Sequence, residues 1–521
     1  MKEPDPPAAP RRSPDLDPLA IARRHFAGAE AYLVGGRVRD WLLGRATADT
    51  DIAVPAGAVA RARDLAAASG GTCVVLDAER DVARVLWPAR GVPSASLDVA
   101  RFAAPDIAGD LAARDFTVNA LGVPLADSAM LDLDAPRGAV GGPAVLDPLG
   151  GRADLDGGHV RMTSVAALEA DPLRLLRGAR LAAELGFDIE PDTARAIRSR
   201  APLVRQAAGE RVRDEVVRLI AADDAAAQVR RLGALDLLAF VLPEVDALRG
   251  VPQPPPHDRD VFEHSLAVLG AMERLQRRVA GASAAALDGL AVAWRLSDVA
   301  AWDAVVDARR AALAARLADR ADPAPPARAV WLRLAALLHD VGKPATLWYD
   351  AAVDRIRFPQ HDHVGAEMVG RTARRLRLSH AVAVYLATIV RHHLRPLYLA
   401  LDPALSPRLL HRYFRATGGH GIDVVLMSLA DNAAKTAGRP ESAAVLAGVA
   451  ARLLDTWFDA FDTVVAPPPL VSGHVLMAHL GLPAGPEVGR LLAALREAQV
   501  DGELADVGAA LALARRLHAA E

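Results

Sequence analysis

Segments with the alternating apolar pattern of β-strands are confined to the first 150 residues, which limits the folds open to this 521-residue chain. The segments are AYLV, DTDIAV, TCVVLD, VARVLW and SASLDVARF, and a helical pattern over 57–69 separates the second from the third. Beyond LDPLGGRADL the pattern is helical to the end of the chain. The sequence therefore predicts an α+β domain with a mixed sheet and helices, followed by all-α domains.

Proline-rich stretches and changes of pattern divide the chain, whose length suggests about three or four domains. The segment VPQPPPH at 251–257 has the composition of a linker, and we take it as a boundary. The predicted parts are a flexible tail (1–25), the α+β domain (26–150), a first helical domain (151–250), a second helical domain (255–437) and a C-terminal helical region (438–521).

Composition argues against several classes of protein. The formal net charge of −3 disfavours indiscriminate binding to nucleic acid, although arginines concentrated in particular helices leave room for a local basic groove. The single cysteine, Cys73, cannot form an internal disulfide and fits a reducing compartment, so we expect a cytoplasmic protein. No uninterrupted apolar run of about 18 residues occurs, and the sequence predicts no membrane span.

Two aspartates lie close together in one strand-like segment. Asp49 and Asp51 are two residues apart, so both carboxylates point to the same face of the strand. Carboxylates held side by side repel each other unless a cation lies between them, and oxygen ligands in an incomplete shell suit Mg²⁺. Asp98, in SLDVARF, is a candidate third carboxylate on a neighbouring strand. We therefore expect these aspartates to form a Mg²⁺ site.

A glycine turn precedes this pair, because Gly35 and Gly36 lead directly into the helical segment RVRDWLLG. Glycine lets the backbone approach a phosphate closely, and the N–H groups at a helix start favour an anion. Arg39 lies one turn into the helix, where it can add a charge-assisted contact. The turn or the aspartate pair alone would be ordinary, but their order and spacing together predict a site for a metal-bound phosphate.

A second group of potential metal ligands lies between residues 258 and 435. His339 and Asp340 are adjacent after an apolar helical segment, and Gly342 and Lys343 follow them. Imidazoles and carboxylates that converge from separate helices suit a divalent transition metal or Mg²⁺. The other candidate ligands in this part of the chain are His264, His361, His393 and Asp431.

The first site resembles a known family. YLVGGRVRDWLLGR followed by DTDIAV is similar to the head of the class II tRNA nucleotidyltransferases (CCA-adding enzymes) and bacterial poly(A) polymerases. The resemblance implies a polymerase-β-like head at 26–150 and a helical neck at 151–250 that selects the nucleotide and binds RNA. The later motifs that carry it are ARDFTVNAL (113–121), LDPLGGRADL (146–155), EADPLRLLRGARLAAELGF (169–187) and ERVRDEVVRLI (210–220).

The same resemblance implies roles for individual residues. It assigns the catalytic Mg²⁺ ions to Asp49 and Asp51, and it implies a two-metal nucleotidyl-transfer reaction. It assigns nucleotide contacts to Gly36, Arg39, Arg114, Arg174 and Arg177.

Two positions depart from the family pattern. Ala113 stands where a first arginine usually precedes Arg114, and Ala170 stands where a glutamate usually precedes Asp171. The second departure removes a residue expected to steady Asp171, which puts the fidelity of base selection in question.

Asp171 and Arg174 have the spacing of a base-reading pair. They are three residues apart in the helical pattern DPLRLLRGARLAAEL and therefore share a face. A carboxylate acceptor beside a guanidinium donor matches the donor and acceptor edges of cytosine and adenine. Uracil and guanine present an N–H group where the arginine needs an acceptor, which leaves buried groups unpaired. By itself the pair could equally be a surface salt bridge, and it is the family resemblance that favours base reading and so predicts selection of CTP and ATP.

The second group of ligands resembles the HD phosphohydrolase superfamily. The superfamily's pattern of His, His-Asp and distant Asp falls on His264, His339, Asp340 and Asp431. His361 and His393 match additional histidines of members that hold two metals. The resemblance implies metal-assisted hydrolysis of a phosphomonoester or cyclic phosphodiester, with the identity of the metal left open.

The leading functional hypothesis is addition of CCA to the 3′ end of tRNA from CTP and ATP, with an attached HD phosphohydrolase. The last region, 438–521, would be helical and bind tRNA. We expect no membrane and no obligate protein partner. The alternatives are a poly(A) polymerase, an enzyme that adds only A, and an HD-type nucleotide hydrolase whose head only binds RNA. The clustered acids disfavour the last, because RNA binding alone does not require them.

Overall fold

The chain folds into two compact units, Met1–Ala207 and Ala208–Glu521. The division falls inside the segment predicted as one helical neck, 151–250, and the proline-rich segment 251–257 belongs to the second unit. Every residue proposed for the first site lies in unit 1, and every residue of the second site lies in unit 2. The computed structural model describes residues 17–45, 47, 50–89, 92–130, 144–293, 296, 299–320, 326–402, 404–435 and 440–519.

Unit 1 contains the predicted mixed sheet. In its described part the strands lie in the order β3-β4-β5-β2-β1-β6, with β2 and β5 parallel and the other neighbours antiparallel. The prediction of an α+β head with a mixed sheet is thereby confirmed. The strands are β1 (Tyr32–Val34), β2 (Asp51–Val54), β3 (Thr72–Asp77), β4 (Val82–Ala89), β5 (Val92–Arg101) and β6 (Gly122–Pro124).

Alternation along β5 determines which side chains face the core. Leu97 and Val99 are buried, and Asp98 between them points to the opposite face of the sheet. Leu65, on a helix that packs against β3, β4 and β5, is also fully buried. Burial of the apolar face therefore positions the carboxylate of Asp98 on the other face, next to β2.

The helices of unit 1 include a long one that carries Arg174 and Arg177. Asp171 lies before this helix in an extended conformation (φ −145°, ψ 101°), so the prediction that Asp171 and Arg174 share a helical face is wrong. This helix, α7, begins after Pro172 and ends at Gly186, which has the positive φ of 71° that favours glycine. The helices are α1 (Pro18–His25), α2 (Gly36–Leu42), α3 (Ala58–Ser69), α4 (Ile107–Ala112), α5 (Gly151–Gly157), α6 (Val165–Ala170), α7 (Leu173–Leu185) and α8 (Pro191–Arg200), with 3₁₀ turns at Thr117–Asn119, Leu125–Met130 and Ala201–Gln206.

Unit 2 is built around a buried helix, α13 (Val261–Val279), which packs against α10, α14, α15, α16, α17 and α23. The other helices are α9 (Gly209–Ala221), α10 (Ala225–Ala234), α11 (Leu238–Val241), α12 (Pro243–Asp246), α14 (Ala284–Ala293), α15 (Val299–Ala308), α16 (Arg310–Ala318), α17 (Arg328–Leu338), α18 (Lys343–Thr346), α19 (His361–Arg375), α20 (His380–His392), α21 (Arg395–Leu399), α22 (Pro407–Thr417), α23 (Gly421–Ala433), α24 (Pro440–Asp459), α25 (Gly473–Leu480), α26 (Pro486–Val500) and α27 (Val507–Ala519). A 3₁₀ turn covers Gly418–His420, and a π-helical turn covers Phe461–Val465.

The expectation that strands end near residue 150 is wrong in detail. Unit 1 has a short parallel pair, β7 (His159–Val160) and β8 (Asp188–Ile189), and unit 2 has a hairpin of β9 (Trp348–Asp350) and β10 (Arg355–Arg357). These strands have two or three residues, which is too short for alternation to reveal them.

The proline-rich segment 251–257 is part of a closed loop. The backbone N–H of Gly250 donates to Asp260 Oδ2 at 2.7 Å, and the N–H of Val261 donates to the carbonyl of Val251 at 3.0 Å. Asp260 also caps α13, because its Oδ1 accepts from the N–H of Glu263 at 2.7 Å. One aspartate therefore holds the end of the loop and the start of the central helix.

Within the residues that the structure describes, no helix combines the length and apolar character that crossing a membrane requires.

Gly151 provides a test of the packing in unit 1. A Cβ at this position would lie 2.2 Å from the carbonyl oxygen of Thr117, which is backbone and cannot rotate away. We expect Gly151→Ala to lower the free energy of unfolding by about 1–3 kcal/mol, the usual cost of overpacking. Urea unfolding of the full chain measures this, and hydrogen exchange of peptides from α5 assigns the loss to unit 1.

The matched control is Gly157→Ala in the same helix. Its Cβ would meet only the ring of His159, at 3.1 Å, and that exposed side chain can move. Equal unfolding curves for the two variants would contradict the proposed contact.

Candidate active sites

The first site contains two carboxylates on adjacent strands. Asp51 begins β2 and is the register partner of Asp98 on the parallel strand β5, so the two side chains share a face of the sheet. Asp98 also receives two hydrogen bonds from Arg84 on β4, from Nε to Oδ1 at 2.7 Å and from Nη2 to Oδ2 at 2.8 Å. Asp49 lies outside the described residues. Asp98 is therefore held beside Asp51 by an arginine that sequence reasoning did not identify.

Gly35 lies against the carboxylate of Asp51. Its φ of 75° is in the left-handed region, and a Cβ there would be 3.0 Å from Arg114 Nη1 and 3.4 Å from Asp51 Oδ2. Helix α2 starts at the next residue, Gly36, whose Cβ would lie 3.5 Å from the guanidinium of Arg39. The glycine turn, Asp51 and Arg114 are thus brought together, which allows a phosphate to approach the backbone.

Arg39 is fixed by a hydrogen-bond network. Its Nε donates to Asp40 Oδ1 at 2.8 Å, and its Nη1 donates to Asn119 Oδ1 at 2.6 Å. Asn119 in turn donates from Nδ2 to Asp115 Oδ1 at 3.1 Å. Asn119 and Asp115 were not among the predicted site residues, although both lie in the quoted motif ARDFTVNAL.

Asp115 pairs with α7. Its carboxylate is buried, and Oδ2 accepts from Arg177 Nη1 at 3.1 Å. Burial alone would raise the pKa of Asp115, but the charge of Arg177 and the hydrogen bond from Asn119 outweigh it, so the pKa is lowered. Asp115 is therefore a carboxylate anion that anchors Arg177.

Arg174 binds backbone carbonyl groups. Its Nη1 donates to the oxygens of Ala113 at 3.0 Å and Ala167 at 2.9 Å, and burial lowers its pKa against the opposing charges of Asp115 and Asp171. Asp171 Oδ1 accepts from the N–H of Leu173 at 3.2 Å. Ala113, one of the two departures from the family pattern, thus contacts Arg174 through its backbone. Joint reading of a base by Asp171 and Arg174 stays a prediction.

These arginines line a cavity of about 480 Å³ in unit 1, which we call the head cavity. Guanidinium groups around a cavity suit the oxygens of a triphosphate. Arg80 and Arg101 also line it and were missed: Arg80 lies outside the quoted segments, and Arg101 lies in SLDVARF, where only Asp98 was singled out. The lining residues relevant to binding are Arg80, Arg101, Arg114, Asp115, Arg174 and Arg177. Asp171 is outside the described lining.

The second site brings together side chains from separate helices of unit 2. His264 comes from α13, His339 and Asp340 follow α17, and Asp431 comes from α23. His264 Nε2 lies 3.1 Å from Asp431 Oδ1, and His339 Nε2 lies 3.0 Å from Asp340 Oδ2. His361, at the start of α19, has Nε2 3.4 Å from Asp340 Oδ1. The cluster is thus centred on two buried carboxylates.

Three of the histidines are oriented in the same way. In His339, His361 and His393, Nδ1 donates to the carbonyl of the residue three positions earlier, at 2.8, 2.9 and 2.7 Å. In the neutral ring, Nε2 then carries the lone pair, and this is the arrangement that metal-binding histidines use. Burial lowers the pKa of His393 to about 3 and that of His264 to about 4, which keeps both neutral. In His339 the charge of Asp340 and a hydrogen bond to it outweigh burial, so the pKa is raised.

The donor atoms fit divalent metals. One group of three, His264, His339 and Asp340, and another, Asp340, His361 and His393, have ligand atoms within 4.8 Å of one another. His339 Nε2 and His361 Nε2 are buried atoms that make no hydrogen bond of good geometry among the described residues, and both lie within 3.4 Å of an oxygen of Asp340. Asp340 belongs to both groups, so its carboxylate is shared between the two candidate ligand sets.

Basic side chains neutralise the two carboxylates. Lys343 Nζ lies 2.6 Å from Asp340 Oδ2, and Lys435 Nζ lies 2.7 Å from Asp431 Oδ2. Both lysines line a cavity of about 610 Å³ beside the cluster, here called the histidine cavity, together with Arg355 and Arg357 of β10. A cavity with this lining suits an anionic substrate.

The proline-rich segment forms one wall of the histidine cavity. Gln253 Oε1 accepts from Lys343 Nζ at 2.5 Å, and the ring of His257 is 4.5 Å from that of His264. Burial lowers the pKa of His257 to about 2. Sequence reasoning missed Gln253 and His257 because it treated this segment only as a linker.

Family models match three parts of the chain. The Poly A polymerase head domain matches residues 31–161, and the probable RNA and SrmB-binding site of polymerase A matches 186–248. The HD domain matches residues 308–434. His264 lies before that match, so the first ligand comes from a helix outside the matched range.

Similar proteins extend over nearly the whole chain. An A-adding tRNA nucleotidyltransferase of Deinococcus radiodurans is 35% identical over 513 residues, 97% of this chain and 98% of the relative. A CC-adding tRNA nucleotidyltransferase of Thermus thermophilus is 31% identical over 490 residues, 92% of each chain. A solved complex of a CCA-adding enzyme with ATP has a TM-score of 0.57, 18% identity and 97% coverage of both chains, which shows a shared fold.

The pair formed by Arg177 and Asp115 gives a pH-dependent prediction. In the parent, the lowered pKa of Asp115 contributes stability above the unfolded pKa, and this is lost as the pH falls through the folded pKa. In Arg177→Met, burial should raise the folded pKa instead. We expect a destabilisation on the order of 1–3 kcal/mol at pH 7 that shrinks as the pH falls towards 4.

Urea unfolding at several pH values measures this difference. Arg195→Met is the control, because Arg195 forms an exposed pair with Asp192 and should change stability little at any pH. A penalty for Arg177→Met that stays constant between pH 7 and pH 4 would contradict the assignment.

Proposed function

The chain belongs to the tRNA nucleotidyltransferase and poly(A) polymerase family, and from this premise we propose that it adds nucleotides to the 3′ end of tRNA. The observation that carries the proposal is the contact of Gly35 with Asp51 and Arg114, which joins a phosphate-binding turn to a carboxylate and a cation. The relatives that cover most of the chain are named for this reaction, which supports tRNA as the acceptor.

Different residues of unit 1 bind the nucleotide and the metal ions. Arg114 and Arg177 bind and orient the triphosphate in the head cavity, and Arg174 reads the base together with Asp171. Asp51 with Asp98 supplies hard oxygen ligands suited to Mg²⁺. When bound, Mg²⁺ ions lower the pKa of the RNA 3′-hydroxyl and stabilise the charge on the triphosphate. The 3′-oxygen then bonds to the α-phosphorus, the bond to pyrophosphate breaks, and the hydroxyl proton passes to solvent.

The proposed nucleotide addition has two possible extents, and both include addition of the terminal adenosine. In the first, the chain builds the complete CCA end from CTP and ATP. In the second, it adds only the adenosine, and this version is favoured by the 35% identity to an A-adding enzyme along the full length. A tRNA that already ends in CC and a tRNA that lacks all three nucleotides separate the two versions.

We predict that Asp51→Ala abolishes incorporation of labelled ATP into tRNA ending in CC. The reason is that the carboxylate beside the glycine turn is lost, while the fold and RNA binding remain. Asp49→Ala should behave in the same way. The control is Asp64→Ala, an exposed aspartate on α3, which should keep the parent rate. Near-normal incorporation by Asp51→Ala with excess Mg²⁺ would exclude this site.

We also propose a second activity, metal-dependent phosphohydrolysis in unit 2. The buried Nε2 atoms around Asp340 support it, because they match the donor set of a divalent metal site. A metal held there supplies an activated water molecule. For a 2′,3′-cyclic phosphate, the water oxygen bonds to phosphorus, the bond to the 2′-oxygen breaks, and that oxygen takes the proton.

The double variant His339→Ala/Asp340→Ala tests whether this activity is independent of the first. We expect it to lose metal-dependent hydrolysis of 2′,3′-cyclic AMP and to keep nucleotide addition within a few-fold of the parent, because all transferase residues lie in unit 1. The control is His380→Ala at the exposed start of α20. If the double variant stays folded by circular dichroism yet loses both activities, the two sites are coupled and the proposal is wrong.

A further inference from the structure

A second cavity, of about 550 Å³, adjoins the histidine cavity, and we call it the adjoining cavity. Leu394 and Tyr398 line both cavities. They are four residues apart, on one helical turn closed by the hydrogen bond from the N–H of Tyr398 to the carbonyl of Leu394 at 3.1 Å. His393, a candidate metal ligand, directly precedes Leu394. A single turn therefore separates the metal-ligand cluster from the adjoining cavity.

The adjoining cavity has a basic wall. Arg391, Arg395 and Arg412 line it, and Arg395 Nε donates to His392 Nδ1 at 2.9 Å. Arg412 pairs with Glu497 at 2.5 Å, whereas Arg391 and Arg395 have no carboxylate within ion-pair distance among the described residues. Two guanidinium groups are thus available to phosphate oxygens.

The one acidic residue in the described lining, Asp362, faces His363. Asp362 Oδ1 lies 3.1 Å from His363 Nδ1, and both residues belong to the cavity wall. The balance of charge in the adjoining cavity therefore remains positive.

Exposed aromatic side chains lie at the junction of the two cavities and on the hairpin beside the histidine cavity. Tyr398, at their junction, is 61% exposed, and Trp348 and Tyr349 on β9 are 51% and 54% exposed. β9 pairs with β10, whose Arg355 and Arg357 line the histidine cavity. Only 4% of this chain is aromatic, and large aromatic side chains exposed next to arginines are typical of surfaces that bind single-stranded nucleic acid.

We propose that the adjoining cavity binds the nucleotides that precede the terminal phosphate of a single-stranded RNA 3′ end. Tyr398 stacks on a base, Arg391 and Arg395 contact the backbone phosphates, and the terminal phosphate lies in the histidine cavity. The substrate of unit 2 is then the end of an RNA strand and not a free mononucleotide. This inference rests on the phosphohydrolase activity proposed above.

The sizes of the cavities support a substrate longer than one nucleotide. At about 610 Å³, the histidine cavity alone has the volume of a small-molecule site. The adjoining cavity adds a similar volume with its own cationic and aromatic groups. A mononucleotide would leave these groups without a role, whereas a strand continuing past Tyr398 contacts them.

Kinetics of two substrates test the proposal. The first is an octaribonucleotide that ends in a 2′,3′-cyclic phosphate, and the second is 2′,3′-cyclic AMP. We expect Tyr398→Ala and Arg395→Met each to lower kcat/KM for the octaribonucleotide by about tenfold, the effect of one lost base stack or phosphate contact. Arg395→Met, at a residue that lines only the adjoining cavity, should keep the parent kcat/KM for 2′,3′-cyclic AMP. Tyr398→Ala, at a residue that lines both cavities, should lose less on this substrate than on the octaribonucleotide.

Two control variants accompany these. Tyr398→Phe retains the ring and should restore most of the activity on the octaribonucleotide. Arg371→Met removes an exposed arginine from α19 outside the described lining of both cavities and should change neither substrate. Equal losses on both substrates, or no loss on the octaribonucleotide, would overturn the proposal while leaving the phosphohydrolase intact.

A binding measurement is independent of hydrolysis. An octaribonucleotide with 4-thiouridine two positions before its 3′ end is cross-linked to the full chain by light, and the attached peptide is identified by mass spectrometry. We expect the peptide that contains Tyr398, and loss of this cross-link in Arg395→Met. If the parent hydrolyses neither substrate, the phosphohydrolase proposal fails, and the cross-link alone decides whether the adjoining cavity binds RNA. Cross-links confined to unit 1 would overturn RNA binding at the adjoining cavity.

Discussion

The buried carboxylate of Asp115 joins the parts of the first site. An anion removed from water must be paired, and Asp115 meets this requirement with Arg177 on α7 and Asn119 beside the sheet. Asn119 continues the network to Arg39 on α2, next to the glycine turn. The phosphate-binding turn and the helix with the selecting arginines are thereby held in one arrangement. Loss of the hydrogen bonds to Asp115 leaves a buried charge without its partners.

The buried carboxylates of the second site are balanced by lysines, and not by an arginine and an amide as in the first site. Asp340 and Asp431 are almost completely buried, and their charges are balanced by lysines three and four residues further along the chain. Around them, His339, His361 and His393 each bind a backbone carbonyl through Nδ1, which leaves Nε2 facing the cluster. Burial lowers the pKa of His393, whereas in His339 the charge of Asp340 outweighs burial and raises the pKa. The lysines therefore balance the carboxylate charge, and the imidazoles direct Nε2 towards the place where a metal would bind.

Local patterns in the sequence were sufficient for the features that depend on nearby residues. Strand periodicity predicted β1 to β5 and missed the three-residue edge strand β6, and the strand-like segments around Asp51 and Asp98 anticipated that these two residues would be neighbours. Contacts between distant positions could not be obtained in this way. Arg177 and Asp115 are 62 residues apart, and Arg39 and Asn119 are 80 apart, so their pairing depends on the tertiary fold.

Patterns in the sequence were misleading at two places in unit 2, one through strand periodicity and one through composition. The three-residue strands of the hairpin β9–β10 carry too little alternation to be recognised, although they position Arg355 and Arg357 at the histidine cavity. The prolines of 251–257 indicated a linker, yet Gln253 and His257 contact the second site. A proline-rich segment can form a cavity wall as well as a connection, because its restricted backbone needs few hydrogen bonds to keep its shape.

The loop closed by Asp260 has a consequence for how this protein can be cut or rearranged. Because residues 251–257 contribute a wall to the histidine cavity, the last position at which a protease or a gene fusion can separate the second site intact lies upstream of Gly250. A fragment that started at α13 would retain the helix with His264 but lose the side chain that accepts from Lys343. That lysine would then be freer to stay on Asp340 and compete with a metal ion. Chain connectivity, and not only the identity of the ligands, thus sets how readily the site could be loaded.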